Sequence, residues 1–177
     1  MMNNWHILTE CYVDTLLAKK LAPPTKGYNH QHCCTKVLRT MKEKFLNNAA
    51  LGIIDDDKSQ PKDLKDFSPL KIYNEHLSIH KHCDKPHYVV KIGKAIEDFI
   101  LKNAEKCNIT LSEYNLPSEL EGLKKITKHI NSLNEAETKF KKLFLTLKQN
   151  ENSDFYKLAQ WIELFKTNPY NLNIELL

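Results

Sequence analysis

The stretch that most constrains this chain is Ala50-Leu51-Gly52-Ile53-Ile54, which runs straight into Asp55-Asp56-Asp57. A strand with one wet face alternates apolar and polar residues. An unbroken apolar run is expected of a strand covered on both faces, and that cover comes from helices on either side of a sheet. "HYVVKIG" (87–93) repeats the pattern, "WHILTE" (5–10) is a shorter apolar candidate, and "HLSIH" (76–80) a weaker one.

Helical spacing fills the intervals. Val13, Leu16, Leu17 and Leu21 form one stripe, which Pro23 and Pro24 terminate because neither can continue a helix. Cys34, Val37, Leu38, Met41 and Phe45 form a second stripe, and Ile96, Phe99, Ile100 and Ala104 a third. A polar, lysine-rich connection runs from Lys58 to about Asp66. The order strand, helix, helix, strand, strand, strand, helix predicts an α/β fold with a small, mainly parallel sheet over residues 1–108. From 109 to 177 only helical patterns remain, through Leu120/Leu123/Ile126/Ile130, Phe140/Leu143/Phe144/Leu147 and Leu158/Trp161/Ile162/Phe165. This half is expected to be a helical extension packed on the sheet or on a partner. Trp161 and Phe165 are expected in the core.

A chain of 177 residues can bury an ordinary core without disulfides. Its five cysteines are an odd number without the density of a disulfide scaffold. No apolar run approaches a membrane span and "MMNNWHILTE" does not read as a signal peptide, so a cytoplasmic location and no membrane partner are expected. The net charge of +4 permits a phosphate-rich partner without demanding one.

Geometry gives the aspartates a purpose. Ligands of open parallel sheets collect at the carboxyl ends of the strands. The first strand delivers Glu10 there and the second delivers Asp55 to Asp57, if the two run parallel. Alternation along an extended chain turns Asp55 and Asp57 to one side and Asp56 to the other. Asp14 lies one helical turn after Glu10. Carboxylates crowded in this way call for a cation, and hard oxygen ligands favour magnesium, manganese or calcium over zinc. Taken alone, the aspartates also read as a solvated strand exit, and Glu10 as a favourable charge at a helix start.

With Glu10-x-x-x-Asp14 at one strand end and Asp55-x-Asp57 at another, residues 5–100 resemble the Toprim domain, the catalytic module of topoisomerases, primases and OLD-type nucleases. The usual glycine of the first motif is Cys11 here. The resemblance implies divalent-metal-dependent phosphodiester chemistry on DNA or RNA, nuclease-like, with Mg2+ or Mn2+. Glu10 would be the catalytic acid or base, Asp55 and Asp57 metal ligands, and Asp14 an accessory ligand. Glu97, early in the helix after the last strand, is an outside candidate for another carboxylate. The alternative is a non-catalytic Toprim-fold module that docks on a protein partner. The chain shows no nucleotide-binding motif of its own, so a nuclease of the OLD kind would need an ATPase supplied in trans, or none at all.

Two further groups invite a third reading, a zinc-stabilised module: His30, His32, Cys33 and Cys34, and His76, His80, His82, Cys83 and His87. Neither has the paired C-x-x-C spacing of a zinc finger. His30 or His32 is also a candidate for contact with phosphate, and Cys33, ahead of a helix, for a reactive thiol without an identified base. Lys58 and Lys62 are positioned to neutralise phosphates beside the aspartates. The lysine-rich stretches carry no interleaved aromatic residues for base stacking.

Overall fold

The computed structural model of the protein describes residues 6–57 and 60–177. Among these, six strands form one sheet: β1 (Ile7–Thr9), β2 (Asn29–His30), β3 (Ala50–Asp55), β4 (Phe67–Asn74), β5 (Leu77–His82) and β6 (His87–Ile92). The spatial order is β2-β1-β3-β6-β5-β4. The β2-β1-β3-β6 half is parallel, and β5 and β4 continue it antiparallel. Six α-helices accompany the sheet: α1 (Tyr12–Leu21), α2 (Cys34–Thr40), α3 (Ile96–Lys106), α4 (Leu120–Thr127), α5 (Leu133–Gln149) and α6 (Asp154–Thr167). The molecule is thus α/β with a mostly parallel sheet.

The unalternating runs do what their composition requires. Successive residues of a strand face opposite sides. Ile7, Leu51, Ile53, Tyr88, Val90 and Ile92 join one core, together with side chains of α1, α3, α5 and α6. Leu8, Ala50, Ile54 and Val89 face the other way and meet Val37, Leu38 and Met41. On this second side Gly52 lets α2 come close, since a Cβ there would lie 2.8 Å from Val37 Cγ1 and 3.1 Å from Met41 Sδ. α2 then widens into a π turn, Met41–Phe45.

The helices after residue 109 share the larger core with the sheet. Phe140, Phe144, Phe155, Trp161 and Phe165 are fully buried. The rings of Phe99 and Phe155 stack at 5.0 Å, which ties α3 to α6. Serine caps open the last two helices: Ser132 Oγ accepts from Glu135 N at 3.2 Å, and Ser153 Oγ from Phe155 N at 3.1 Å. Beside the second cap, the fully buried Asn103 of α3 accepts from Ser153 Oγ at 3.2 Å and Asp154 N at 2.6 Å. Its own amide donates to Phe99 O at 2.8 Å. No described helix is long and apolar enough to cross a membrane.

Two strands lie outside the sequence-based reading. β2 has only two residues, too few for any period. β4 is the sheet edge, and its residues are mostly exposed or half-buried, so no apolar pattern marks it. Pro69 within it is tolerated because an edge strand has one ladder side free, and the register with β5 shifts between Pro69 and Lys71 and again between Ile72 and Asn74.

Candidate functional site: a carboxylate rim at the strand ends

β1 and β3 run parallel, with Thr9 opposite Ile53, so Glu10 and Asp55 leave the sheet at the same edge. They touch: Asp55 N donates to Glu10 Oε2 at 3.2 Å. Asp14 reaches the same place from the first turn of α1. Its Oδ2 accepts from Cys11 N at 3.0 Å, while Cys11 Sγ accepts from Asp14 N at 3.4 Å. Cys11, standing where the resembled motif has glycine, therefore caps α1 in a reciprocal box with Asp14. Glu97, in the first turn of α3, is buried and accepts a hydrogen bond from Thr127 Oγ1 of α4.

The three aspartates part company. Asp55 turns inward, whereas Asp56 pairs with Lys91 Nζ at 2.9 Å. Asp57 is exposed at the rim, where Gln60 Nε2 donates to its carbonyl at 2.6 Å. The side chains of Asp55 and Asp57 raise the charge density on one spot and Asp56 is neutralised elsewhere.

Burial makes this crowding costly. Desolvation, followed by the charges of Asp14, Glu10, Glu97 and Asp57, pushes the Asp55 carboxyl up to about 9. Desolvation also lifts Asp14 to about 7, with Glu10 and Glu97 adding to it and the Cys11 hydrogen bonds opposing. Glu10 is raised by burial, against which the backbone amides of Asp55 and Cys34 pull. Two oxygens complete the picture: Asp14 Oδ1 and Asp55 Oδ1 are buried and accept no hydrogen bond. A buried carboxylate oxygen without a donor is an unbalanced acceptor. An all-oxygen donor set of this kind suits a hard divalent cation. No three of these carboxylates bring ligand oxygens within 4.8 Å of one another.

A tighter group occurs elsewhere. His82, Cys83 and Asp84, at the β5–β6 turn, offer ligand atoms within 4.8 Å of one another, the one such group of three among the described residues. Cys83 Sγ donates to Asp84 Oδ2 at 3.2 Å, and Asp84 N donates to His82 Nδ1 at 3.1 Å. His82 and His87 are 6.0 Å apart between ring centres, and His87 Nε2 is buried without a partner. Burial lowers His87 to about 4. This turn lies at the opposite sheet edge from the rim, because His87 opens β6 where Asp55 closes β3. His76 lies 3.8 Å from Asp98, and His80 bonds Ser78 Oγ at 3.0 Å, so neither belongs to the group.

His30 and His32 come to the rim's side of the molecule without Cys33 or Cys34 closing a ligand set around them. Cys33 caps α2 by position only, with no side-chain hydrogen bond to the helix. Lys62 is exposed in a short 3-10 turn, Lys62–Asp66, and Lys58 lies outside the described residues. Sequence reasoning passed over Tyr12, which stacks on His30, because nothing local connects residues 18 apart. Comparison with protein-family models, curated proteins and solved structures finds no match for this chain.

Proposed function

We propose that the protein carries out divalent-metal-dependent phosphodiester chemistry on nucleic acid, nuclease-like, at the rim of Glu10, Asp14, Asp55, Asp57 and Glu97, in the manner of the Toprim domain it resembles. The observation that carries this reading is the pair of buried, donorless oxygens, Asp14 Oδ1 and Asp55 Oδ1, in a cluster of acids from separate elements. A fold that needed these residues only for stability would give them hydrogen-bond donors or replace them with neutral groups.

Asp55, Asp57 and Asp14 would hold Mg2+ or Mn2+. When bound, the cation polarises a phosphoryl oxygen and offsets the charge that develops on it. Glu10 moves the proton. Its carboxyl is held above the ordinary range by burial, so it retains a proton closer to neutral pH than a solvated glutamate, as a general acid must. The Asp55 and Cys34 amides fix its orientation. Glu97, anchored by Thr127, adds negative charge that favours cation capture.

The test is cleavage of labelled single- and double-stranded DNA and RNA with Mg2+ or Mn2+, comparing wild type with Asp55→Asn and Glu10→Gln. Loss of cleavage in both variants, with folding intact by circular dichroism, is expected. Cleavage that survives both substitutions sinks the proposal. A second reading, a zinc-stabilised module, is favoured by the His82–Cys83–Asp84 group alone; metal analysis of purified wild type and Cys83→Ser protein decides it.

A further inference from the structure

Beside the carboxylates lies a cavity of about 200 Å³ that the rim chemistry leaves unused. Three of its lining residues, Tyr12, His30 and His32, carry rings. Tyr12 and His30 stack with centres 4.0 Å apart and planes 27° apart. His32 stands edge-on to them, 4.2 Å from His30 and 6.2 Å from Tyr12. Thr127, Ile130 and Asn131, from α4 and the turn after it, close the opposite side.

The fold puts this cavity next to the rim. His30 pairs with Thr9, the residue before Glu10, and Tyr12 follows Glu10 by two positions. Cys11, which caps Asp14, borders the cavity, and Thr127, which holds Glu97, borders it too. His32 occupies the left-handed region at φ +74°, a conformation that side chains other than glycine rarely adopt.

The lining selects the ligand. It contains no lysine or arginine, and the neighbouring groups are carboxylates, so a bare phosphate would be repelled here. Burial, with the nearby His32, lowers His30 from its ordinary value, which favours the uncharged ring. Flat aromatic rings bind flat aromatic rings. Asn131 also lines the cavity; its Nδ2 already donates to His129 O at 2.9 Å, which leaves its Oδ1 to accept from the edge of a base.

We propose that Tyr12, His30 and His32 form a stacking site for one unpaired nucleobase beside the scissile phosphate, which makes the substrate single-stranded nucleic acid. The proposal rests on the phosphodiester reading above and names its substrate class. A base inside a duplex cannot enter such a site without leaving its stack. The helical extension then has a direct part in recognition, because residues 127–131 make one wall.

The experiment measures binding, not cleavage. A fluorescein-labelled single-stranded oligonucleotide is titrated with the full chain in Ca2+, alongside the same oligonucleotide made abasic and a blunt duplex of equal length. Wild type is expected to prefer the intact single strand. Tyr12→Leu, which keeps an apolar side chain at the helix start, and His32→Gly, which suits the left-handed backbone, should each weaken that binding by roughly 5- to 100-fold. Neither should change binding of the abasic strand. Equal affinity for intact and abasic strands, preference for duplex, or unchanged affinity in both variants overturns the proposal. Base-dependent binding without cleavage by any metal leaves the stacking site standing and removes the phosphodiester reading; cleavage with base-independent binding does the reverse.

Discussion

Replacing Asp55 with asparagine should make the metal-free protein more stable, and increasingly so as pH rises. The carboxyl of Asp55 goes from an ordinary 3.8 in the unfolded chain to about 9 when folded. Between those values the folded state holds a proton that the unfolded state has released, so the stability of wild type falls as pH rises through the window. One such proton contributes a slope of about 1.4 kcal/mol per pH unit. From pH 6 to pH 8, wild type should therefore lose about 3 kcal/mol more than Asp55→Asn, an upper figure because Asp55 shares its proton balance with Asp14. Set against a typical total of about 5–15 kcal/mol, that difference is easy to see. Asp14, raised to about 7, titrates in the same window and responds to the loss of the Asp55 charge, so the difference between the two proteins belongs to the pair. The assay is urea denaturation at pH 6, 7 and 8 in the presence of a chelator, with midpoints and slopes fitted at each pH. Parallel stability curves for the two proteins would mean that Asp55 is already ionised in the fold, and the argument from crowding and burial would be wrong.

The same proton inventory predicts that Mn2+ binding releases protons at pH 7, with affinity rising about tenfold per pH unit as Asp55 is titrated. Calorimetry in two buffers of different ionisation enthalpy reads the release, and identical heats would contradict it. Asn103→Leu, which strands the Ser153 hydroxyl and the Asp154 amide, should cost about 2–4 kcal/mol and lower the melting temperature. Loss below about 0.5 kcal/mol would show that α6 does not depend on this junction. Gly52→Ala should cost about 1–3 kcal/mol by forcing Val37 and Met41 off the sheet. A thermal shift that shows no destabilisation would refute the close approach of α2.

Much of the architecture was written in local pattern. The unbroken runs of β3 and β6 announced two covered faces, and Ile53 and Ile54 do point into different cores. The stripes of α1, α3 and the later helices were equally plain, because each buries one face. β4 was not legible, since its exposure at the sheet edge removes the selection for an apolar pattern. At the site, Glu10 and Asp55 were identified by their places at strand ends, and the structure brings those two into contact with Asp14 alongside. Glu97 was harder, because its approach depends on where α3 starts. The rings of Tyr12, His30 and His32 were invisible as a group. Each is ordinary in its own segment, and only the parallel pairing of β1 with β2 draws them together.

The acids of the rim enter the chain at positions 10, 14, 55, 57 and 97. We expect contacts that join segments so far apart to be completed late in folding, after the loops between them close. Their mutual repulsion thus weighs on the finished native state more than on the route to it. Neutralising one acid should lengthen the lifetime of the folded molecule while leaving its rate of formation nearly untouched.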